Sequence, residues 1–270
     1  MAMITANGIQ VFHKQHGETG DWLLLIAGLG GHSGSFAPQI PAFAEHFRVL
    51  RFDNRGAGRT DAPDAPYSMR QMADDTAALL AALGIEQAHV LGVSMGGMIA
   101  QELAINHPDR VGKLVLACTR ARPTGARRRA AEVQRVIRLA DLGAREREAY
   151  GMPWGMTASF MQDQRRVDER IELAAKDPYP MQSHAYIRQL EATMAHDTLD
   201  RLHQIRAETL VLAGAEDILT PPWESDALVE RIPNATLRVL PRGGHGFSVE
   251  YPAEFNAAAI QFLSTPSARS

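Results

Sequence analysis

The sequence of 270 residues predicts an α/β fold built on a mostly parallel sheet. Continuous apolar runs, typical of strands buried on both faces, alternate along the chain with stretches at helical spacing. A Gly-x-Ser-x-Gly turn, 92–96, separates one such run from the next helix, and a long segment, 124–196, contains no strand-like run. Alternating strands and helices indicate parallel pairing with right-handed crossovers, and the strand-free segment indicates a helical insertion.

The individual elements are predicted from periodicity and from helix-breaking residues. Residues 9–13 alternate apolar and polar side chains, which predicts an edge strand of an antiparallel pair. The buried strands are expected at 22–27, 48–52, 88–91, 113–118, 209–214 and 236–240. The helices are expected within 36–47, late or broken because of Pro38 and Pro41, and at 69–83, 98–104, 223–231 and 252–263.

These elements predict one core domain, 1–120 with 197–270, and a helical cap, 121–196, inserted in it. The cap arginines interleave with glutamates, so we expect a solvent-exposed helix face; they are Arg127, Arg128, Arg129, Arg135, Arg138, Arg145 and Arg147. In the polar loop 53–61, we expect Asp53 and Arg55 to hold the loop by hydrogen bonds rather than to act in catalysis.

Composition excludes several classes of function. A net charge of -3 gives no attraction toward nucleic acid or an anionic membrane, and the single cysteine, Cys118, allows neither an intrachain disulfide nor a cysteine zinc cluster. No metal site is therefore expected. The N-terminal stretch lacks the basic and apolar regions of a signal peptide, and no apolar run could span a bilayer, so we expect a cytoplasmic protein.

The Gly-x-Ser-x-Gly turn predicts a nucleophile, Ser94, at the tip of a strand-to-helix turn. A serine hydroxyl needs donors aimed at the developing oxyanion, and the amide of Met95 is placed to be one of them. A second glycine-rich loop, 28–31, follows the strand at 22–27, and we expect the amide of Leu29 to be the other donor. The alternative for this loop is an ordinary flexible turn.

The base and the acid are expected in loops that follow the last two strands. His245 lies between glycines after the final strand, and Asp217 follows the strand before it, so both fall at the carboxyl edge near Ser94. Glu216 is the alternative acid. The chain order of Ser94, Asp217 and His245 is the order typical of α/β-hydrolases and differs from that of chymotrypsin and subtilisin.

The sequence resembles the α/β-hydrolase superfamily, in particular its branch of esterases and 3-oxoadipate enol-lactonases. The resemblance covers nearly the whole chain and is carried by the following segments: 28–31, 46–56, 92–97, 195–202, 213–221 and 243–247. It implies a mostly parallel sheet with a helical cap, no cofactor, and the triad of Ser94, Asp217 and His245. Ala27 stands where many relatives carry histidine, and the cap is the least specific part of the match.

These residues predict a serine hydrolase that cleaves a small carboxylic ester or lactone through an acyl-enzyme. Carbon–carbon bond hydrolases and perhydrolases use the same residues and remain alternatives. Dehalogenases and epoxide hydrolases are disfavoured because they need a carboxylate at position 94. A different class, a receptor that keeps the fold without catalysis, also remains open, because a fold does not establish function.

The middle of the cap predicts an apolar substrate pocket. Its stretch poor in charge contains large apolar side chains that we expect to contact the substrate, namely Met152, Trp154, Met156 and Phe160. Packing between cap helices is the alternative explanation, since methionine is a common gap filler. Neutral hydrophobic esters should then be preferred, whereas a preference for a dicarboxylate would point to Arg120 and Arg122 as a carboxylate clamp.

Overall fold

A computed structural model describes residues 2–266 of the chain. Its strands are β1 (Ala2–Ala6), β2 (Ile9–His16), β3 (Trp22–Ile26), β4 (Arg48–Phe52), β5 (Ala88–Val93), β6 (Val111–Ala117), β7 (Thr209–Gly214) and β8 (Ala235–Leu240). Its helices are α1 (Ile40–Ala44), α2 (Met69–Ala82), α3 (Met95–Asn106), α4 (Gly125–Leu139), α5 (Ala144–Gly155), α6 (Ala158–Gln162), α7 (Gln164–Ala175), α8 (Ser183–Ala195), α9 (Pro222–Arg231), α10 (Phe247–Glu250) and α11 (Pro252–Leu263).

The strands form one eight-stranded sheet in the order β1-β2-β4-β3-β5-β6-β7-β8. Pairing is parallel from β4 to β8 and antiparallel for β1 with β2 and β2 with β4, which confirms the predicted mostly parallel α/β architecture. The prediction of an edge strand at 9–13 was wrong. This segment, within β2, has a neighbour on each side, because a turn at Asn7 and Gly8, both at positive φ, returns the chain from β1.

The core occupies both faces of the sheet. Successive residues of β3 point to opposite faces, so Leu24 packs in one apolar cluster with residues of α2 and α3 while Leu23 packs in the other with residues of α1 and α11. This double burial explains why the central strands are continuously apolar. The parallel strands therefore end together at one edge of a covered sheet, and the loops leaving that edge carry Ser94, Asp217 and His245.

The segment between β6 and β7 forms the helices α4 to α8. Its small apolar centre contains Met152, Phe160 and Val167. The sequence around Pro153 forms the last turn of α5. Because proline has no backbone N–H, one helical hydrogen bond is missing in this turn, and α5 ends two residues later, at Gly155.

The loop after β4 is held by buried ion pairs, as predicted for Asp53 and Arg55. The Asp53 carboxylate accepts hydrogen bonds from the Ser33 amide and from Arg59, and these hydrogen bonds keep its pKa below the usual range although burial acts to raise it. Arg55 donates to both carboxylate oxygens of Asp75, at 2.7 and 2.6 Å.

Among residues 2–266, no helix has the length and apolar character needed to cross a membrane.

Candidate active site

Ser94 lies at a strained turn between β5 and α3. Its backbone has φ 55° and ψ -116°, a conformation unfavourable for a residue with a side chain. The turn closes because Gly92 and Gly96 have no Cβ: a methyl group on Gly92 would collide with the Gly96 carbonyl, and one on Gly96 with the Ile26 carbonyl. The Ser94 amide donates to the Ala117 carbonyl at 2.9 Å, which ties the turn to β6.

The structure brings Ser94, His245 and Asp217 into one hydrogen-bonded chain. Ser94 Oγ lies 2.8 Å from His245 Nε2, and His245 Nδ1 lies 2.9 Å from Asp217 Oδ2. Ser94, Asp217 and His245 lie in loops after β5, β7 and β8, respectively. In the sequence, Ser94 is more than 120 positions away from each of the other two. This arrangement lets the imidazole accept the serine proton while the carboxylate orients the ring.

The surroundings of Asp217 favour its ionised form. Its side chain is buried, and it accepts hydrogen bonds from the Leu219 and Thr220 amides and from the Thr220 hydroxyl. Burial alone would raise the pKa of Asp217, but the charge of His245 and these hydrogen bonds hold it below its usual range. The alternative acid, Glu216, instead accepts a hydrogen bond from the Gly243 amide at 3.2 Å.

The amides of Leu29 and Met95 flank the serine. A Cβ on Gly28 would lie 3.3 Å from Ser94 Cβ, so the loop that contains Leu29 passes directly beside the nucleophile. Met95 begins α3, where the first amides of a helix point outward without partners. Within residues 2–266 neither amide donates a hydrogen bond, so both are free to bind an oxyanion.

A cap residue that the sequence analysis missed positions this loop. Gln189, fully buried in α8, accepts a hydrogen bond from the Gly30 amide at 3.1 Å and donates one to the Arg55 carbonyl at 2.8 Å. It therefore joins the loop containing Leu29 to the rigid loop after β4. No local pattern could have identified Gln189, because a polar residue in an amphipathic helix is ordinarily exposed.

The cap is also anchored to the loop that carries His245. The buried carboxylate of Glu250 accepts hydrogen bonds from the Gly244 amide at 2.9 Å and from the Thr157 hydroxyl at 2.6 Å. In addition, the Gly246 amide donates to the Gly155 carbonyl at 2.7 Å. The position of the histidine therefore depends on contacts with the cap, a second feature that the sequence analysis missed.

A metal does not fit the cluster of potential ligands at the site. Donor atoms of Cys118, Asp217 and His245 lie within 4.8 Å of one another. Burial, followed by the nearby charge of Asp217, raises the pKa of the Cys118 thiol far above its usual range, so the thiol stays neutral and is a poor ligand. The His245 Nδ1 is already engaged with Asp217. The pair of His245 and Asp217 is therefore suited to proton transfer rather than to metal binding.

The structure separates the four cap residues that were expected to contact substrate. Met152 and Phe160 are buried with Val167 in the cap's own apolar centre, which is the alternative that the sequence left open. Trp154 is 47% exposed. Met156 packs against the same apolar centre, and it is also near His245, because a Cβ on the neighbouring Gly246 would lie 2.8 Å from Met156 Cε.

The arginines of the cap are not all exposed, as their alternation with glutamates had predicted they would be. Arg129, Arg135 and Arg145 are exposed and pair with glutamates, as expected for a solvated face. Arg127 was expected among them, but it is buried, because α4 turns this side chain toward the core while its neighbours face outward. Of the two arginines considered as a carboxylate clamp, Arg120 is buried and Arg122 is exposed.

Comparisons with known proteins match most of the chain. The family described as "alpha/beta hydrolase fold" matches residues 21–252. A protein of Caulobacter sp. (strain K31), provisionally named carbamate hydrolase RutD, is 37% identical over 265 residues, which are 96% of this chain and 97% of that protein.

Two solved structures of named enzymes are similar throughout. The enol-lactonase from Burkholderia xenovorans LB400 has a TM-score of 0.88 at 27% identity and covers 98% of this chain and 100% of its own. A thermophilic esterase from Thermogutta terrifontis has a TM-score of 0.83 at 29% identity, with 97% of each chain covered. Each of these similarities extends over the cap as well as the sheet.

Proposed function

The chain belongs to the alpha/beta hydrolase fold family, and from this premise we propose that it is a serine hydrolase that cleaves a carboxylic ester or lactone through an acyl-enzyme. The single observation that carries the proposal is the hydrogen-bonded chain from Ser94 Oγ through His245 to Asp217, at 2.8 and 2.9 Å. A serine at position 94 can form an ester with the acyl group of the substrate.

In the proposed reaction, Ser94 Oγ attacks the carbonyl carbon while His245 Nε2 accepts its proton. The free amides of Leu29 and Met95 stabilise the negative charge on the carbonyl oxygen. His245 then donates the proton to the leaving alcohol. In the second half-reaction His245 takes a proton from water, which attacks the acyl carbon, and the acid leaves as His245 returns that proton to Ser94 Oγ. Asp217 holds His245 in the required tautomer throughout, and Met156 contacts the substrate from the cap side.

Fluorophosphonate labelling tests the nucleophile directly. We expect the wild-type protein to be labelled at Ser94 and to hydrolyse 4-nitrophenyl butyrate, and we expect Ser94→Ala to lose the label and about three or more orders of magnitude in kcat, because triad members act as a unit. Mass spectrometry of the labelled peptide locates the modification. Circular dichroism checks that the variant keeps its fold.

A panel of substrates at fixed pH addresses the bond type. It contains neutral esters, a δ-lactone and a carbamate ester, since the relatives include proteins named for carbamate hydrolysis. Wild-type rates of hydrolysis in the Ser94→Ala variant would contradict the proposed function. The matched control is Thr5→Ala, which removes an exposed hydroxyl in β1. Cleavage of the carbamate at a kcat/KM well above that of every ester and lactone would contradict the ester or lactone assignment.

A further inference from the structure

The loop that carries His245 has little rigidity of its own. It contains glycines at 243, 244 and 246, and Gly243 has a φ of 109°, which favours glycine. On the core side, the Gly243 carbonyl accepts a hydrogen bond from the Glu216 amide at 3.1 Å, and Gln39 donates one to the Ser248 carbonyl at 2.7 Å. These contacts lie outside residues 244–246, which therefore need other contacts to keep one position.

The two amides that flank His245 are held by acceptors beside the cap. The Gly244 amide donates to Glu250 Oε1 at 2.9 Å, and the Gly246 amide donates to the Gly155 carbonyl, at the end of α5, at 2.7 Å. The approach requires glycine, because a Cβ on Gly244 would lie 2.9 Å from the Gly155 carbonyl oxygen. The backbone is therefore held by a hydrogen bond on each side of the histidine.

Glu250 connects one of these amides to the cap. The residue is 4% exposed, and its Oε2 accepts hydrogen bonds from the Thr157 amide at 3.0 Å and from the Thr157 hydroxyl at 2.6 Å. One carboxylate oxygen thus binds the histidine loop and the other binds the cap. Hydrogen bonds to a carboxylate are stronger than those between neutral groups, so this side chain is a firm connection between the two.

The cap end of the connection is itself fixed. The Thr157 hydroxyl accepts a hydrogen bond from the Phe160 amide at 3.2 Å, and Phe160 is buried in the apolar centre of the cap. Arg166 of α7 donates to the Glu250 carbonyl at 2.8 Å and lies 4.4 Å from the centroid of the Phe160 ring. A displacement of α6 and α7 would therefore be transmitted to the loop of His245.

We propose that Glu250 is a positioning residue, which aligns His245 with Ser94 only while residues 155–157 of the cap are docked against the histidine loop. Ser94 Oγ and His245 Nε2 are 2.8 Å apart in this arrangement, and a misplacement of about 1 Å can cost about 100-fold in rate. Glu250 acts through the backbone of Gly244, so its loss should change kcat more than KM. This inference rests on the proposed acyl-enzyme function.

Glu250→Gln tests the positioning role. The amide replaces one carboxylate oxygen by an N–H donor, which cannot accept from Gly244 or Thr157. With 4-nitrophenyl butyrate, kcat should fall about 10- to 100-fold and KM should change less than about threefold. The rate constant of fluorophosphonate labelling should fall by a similar factor, because His245 takes the serine proton in both reactions. Glu254→Gln, at an exposed position in α11, is the matched control and should change neither rate.

A change confined to KM, or an unchanged labelling rate in Glu250→Gln, would overturn the positioning role. If this variant fails to fold, Glu250→Asp keeps the charge on a shorter side chain that cannot reach both partners. It should lower kcat and the labelling rate about 3- to 30-fold, and wild-type values of both would contradict the inference.

Thr157 variants test the dependence on the cap. Thr157→Val removes the hydroxyl that donates to Glu250 and should lower kcat about 3- to 10-fold, whereas Thr157→Ser keeps the hydroxyl and should stay within about twofold of the wild type. Adding Thr157→Val to Glu250→Gln should lower kcat less than about twofold further, because both changes break the same connection. Losses that multiply in the double variant would show that the two residues act separately, which would contradict the coupling to the cap.

Hydrogen–deuterium exchange measures the connection without a substrate. In Glu250→Gln, amides of 243–247 and of 157–161 should exchange at least about tenfold faster than in the wild type, and those of 92–98 should not. Unchanged exchange in the first two segments would contradict the connection. Wild-type protein that is neither labelled by fluorophosphonate nor active on the ester would instead contradict the acyl-enzyme function, while the exchange rates would still decide whether Glu250 holds the histidine loop.

Discussion

Asp217 accepts four hydrogen bonds although its side chain is fully buried. Two come from backbone amides of its own loop, one from the Thr220 hydroxyl and one from His245. The Thr220 hydroxyl also lies 3.1 Å from His245 Nδ1, so it restrains both partners. A carboxylate supported in this way can stabilise an imidazolium without taking its proton.

Substitution of the two neighbouring acids distinguishes their roles. Asp217→Asn should lower kcat by about 10⁴, because an amide favours the wrong histidine tautomer. Glu216→Gln should lower it less than about tenfold, since Glu216 supports only the Gly243 amide. Steady-state rates with 4-nitrophenyl butyrate give the ranking. The opposite order would assign the orienting role to Glu216.

At the scale of elements, α8 connects the cap to the loop 28–31 through hydrogen bonds of the Gln189 side chain. The Gln189 side chain accepts a hydrogen bond from the Gly30 amide and donates one to the Arg55 carbonyl. The Arg55 side chain is itself held by a hydrogen bond to Asp75. The loop that carries Leu29 contains three glycines, 28, 30 and 31, and has little intrinsic rigidity. Its geometry is therefore set by contacts from another part of the chain.

Gln189→Leu should test this dependence. The leucine fills similar space but removes both hydrogen bonds, so the Leu29 amide loses its fixed position and kcat should fall about 10- to 100-fold with KM changed less than about threefold. Gln189→Glu keeps the acceptor for Gly30 and should recover part of kcat. Gln182→Leu, exposed next to the start of α8, is the control. A change confined to KM would show that Gln189 contacts substrate instead.

At the scale of the whole molecule, buried histidines make stability sensitive to acid. His196, at the point where the cap rejoins the core, is 4% exposed, and burial lowers its pKa to about 4. The unfolded chain binds a proton at this residue near pH 6.5, whereas the folded chain does not until about pH 4. The corresponding stability is present above pH 6.5 and is lost as the pH falls toward 4.

We therefore expect the free energy of unfolding to decrease by about 2 kcal/mol between pH 7.5 and 5 because of His196. Urea unfolding of the wild type and His196→Leu at both pH values measures the difference. The variant should lose less stability on acidification, with a residual loss because burial also lowers the pKa of His13 and His89. His203→Leu, at an exposed position, should behave as the wild type does. Equal acid losses in wild type and His196→Leu would contradict the argument.

The sequence by itself determined most elements of this protein and the three residues of the proposed triad. Strand and helix periods, the turn glycines and the ends of apolar runs act over short stretches of chain, so α2 and α11 were predicted within one residue of their observed bounds. Ser94, Asp217 and His245 could be placed together because the carboxyl ends of parallel strands share one edge.

Only the tertiary structure decided which cap side chains are buried. The burial of Arg127 depends on how α4 packs on the core. The burial of Met152 and Phe160 depends on packing against Val167 of α7. The alternation of charges along the sequence predicts the same exposure for Arg127 and Arg129, but Arg127 is buried and Arg129 is exposed. Burial is a property of packed elements distant in sequence, so no local pattern records it. The contacts of Gln189 with Gly30 and the Arg55 carbonyl depend on tertiary packing for the same reason.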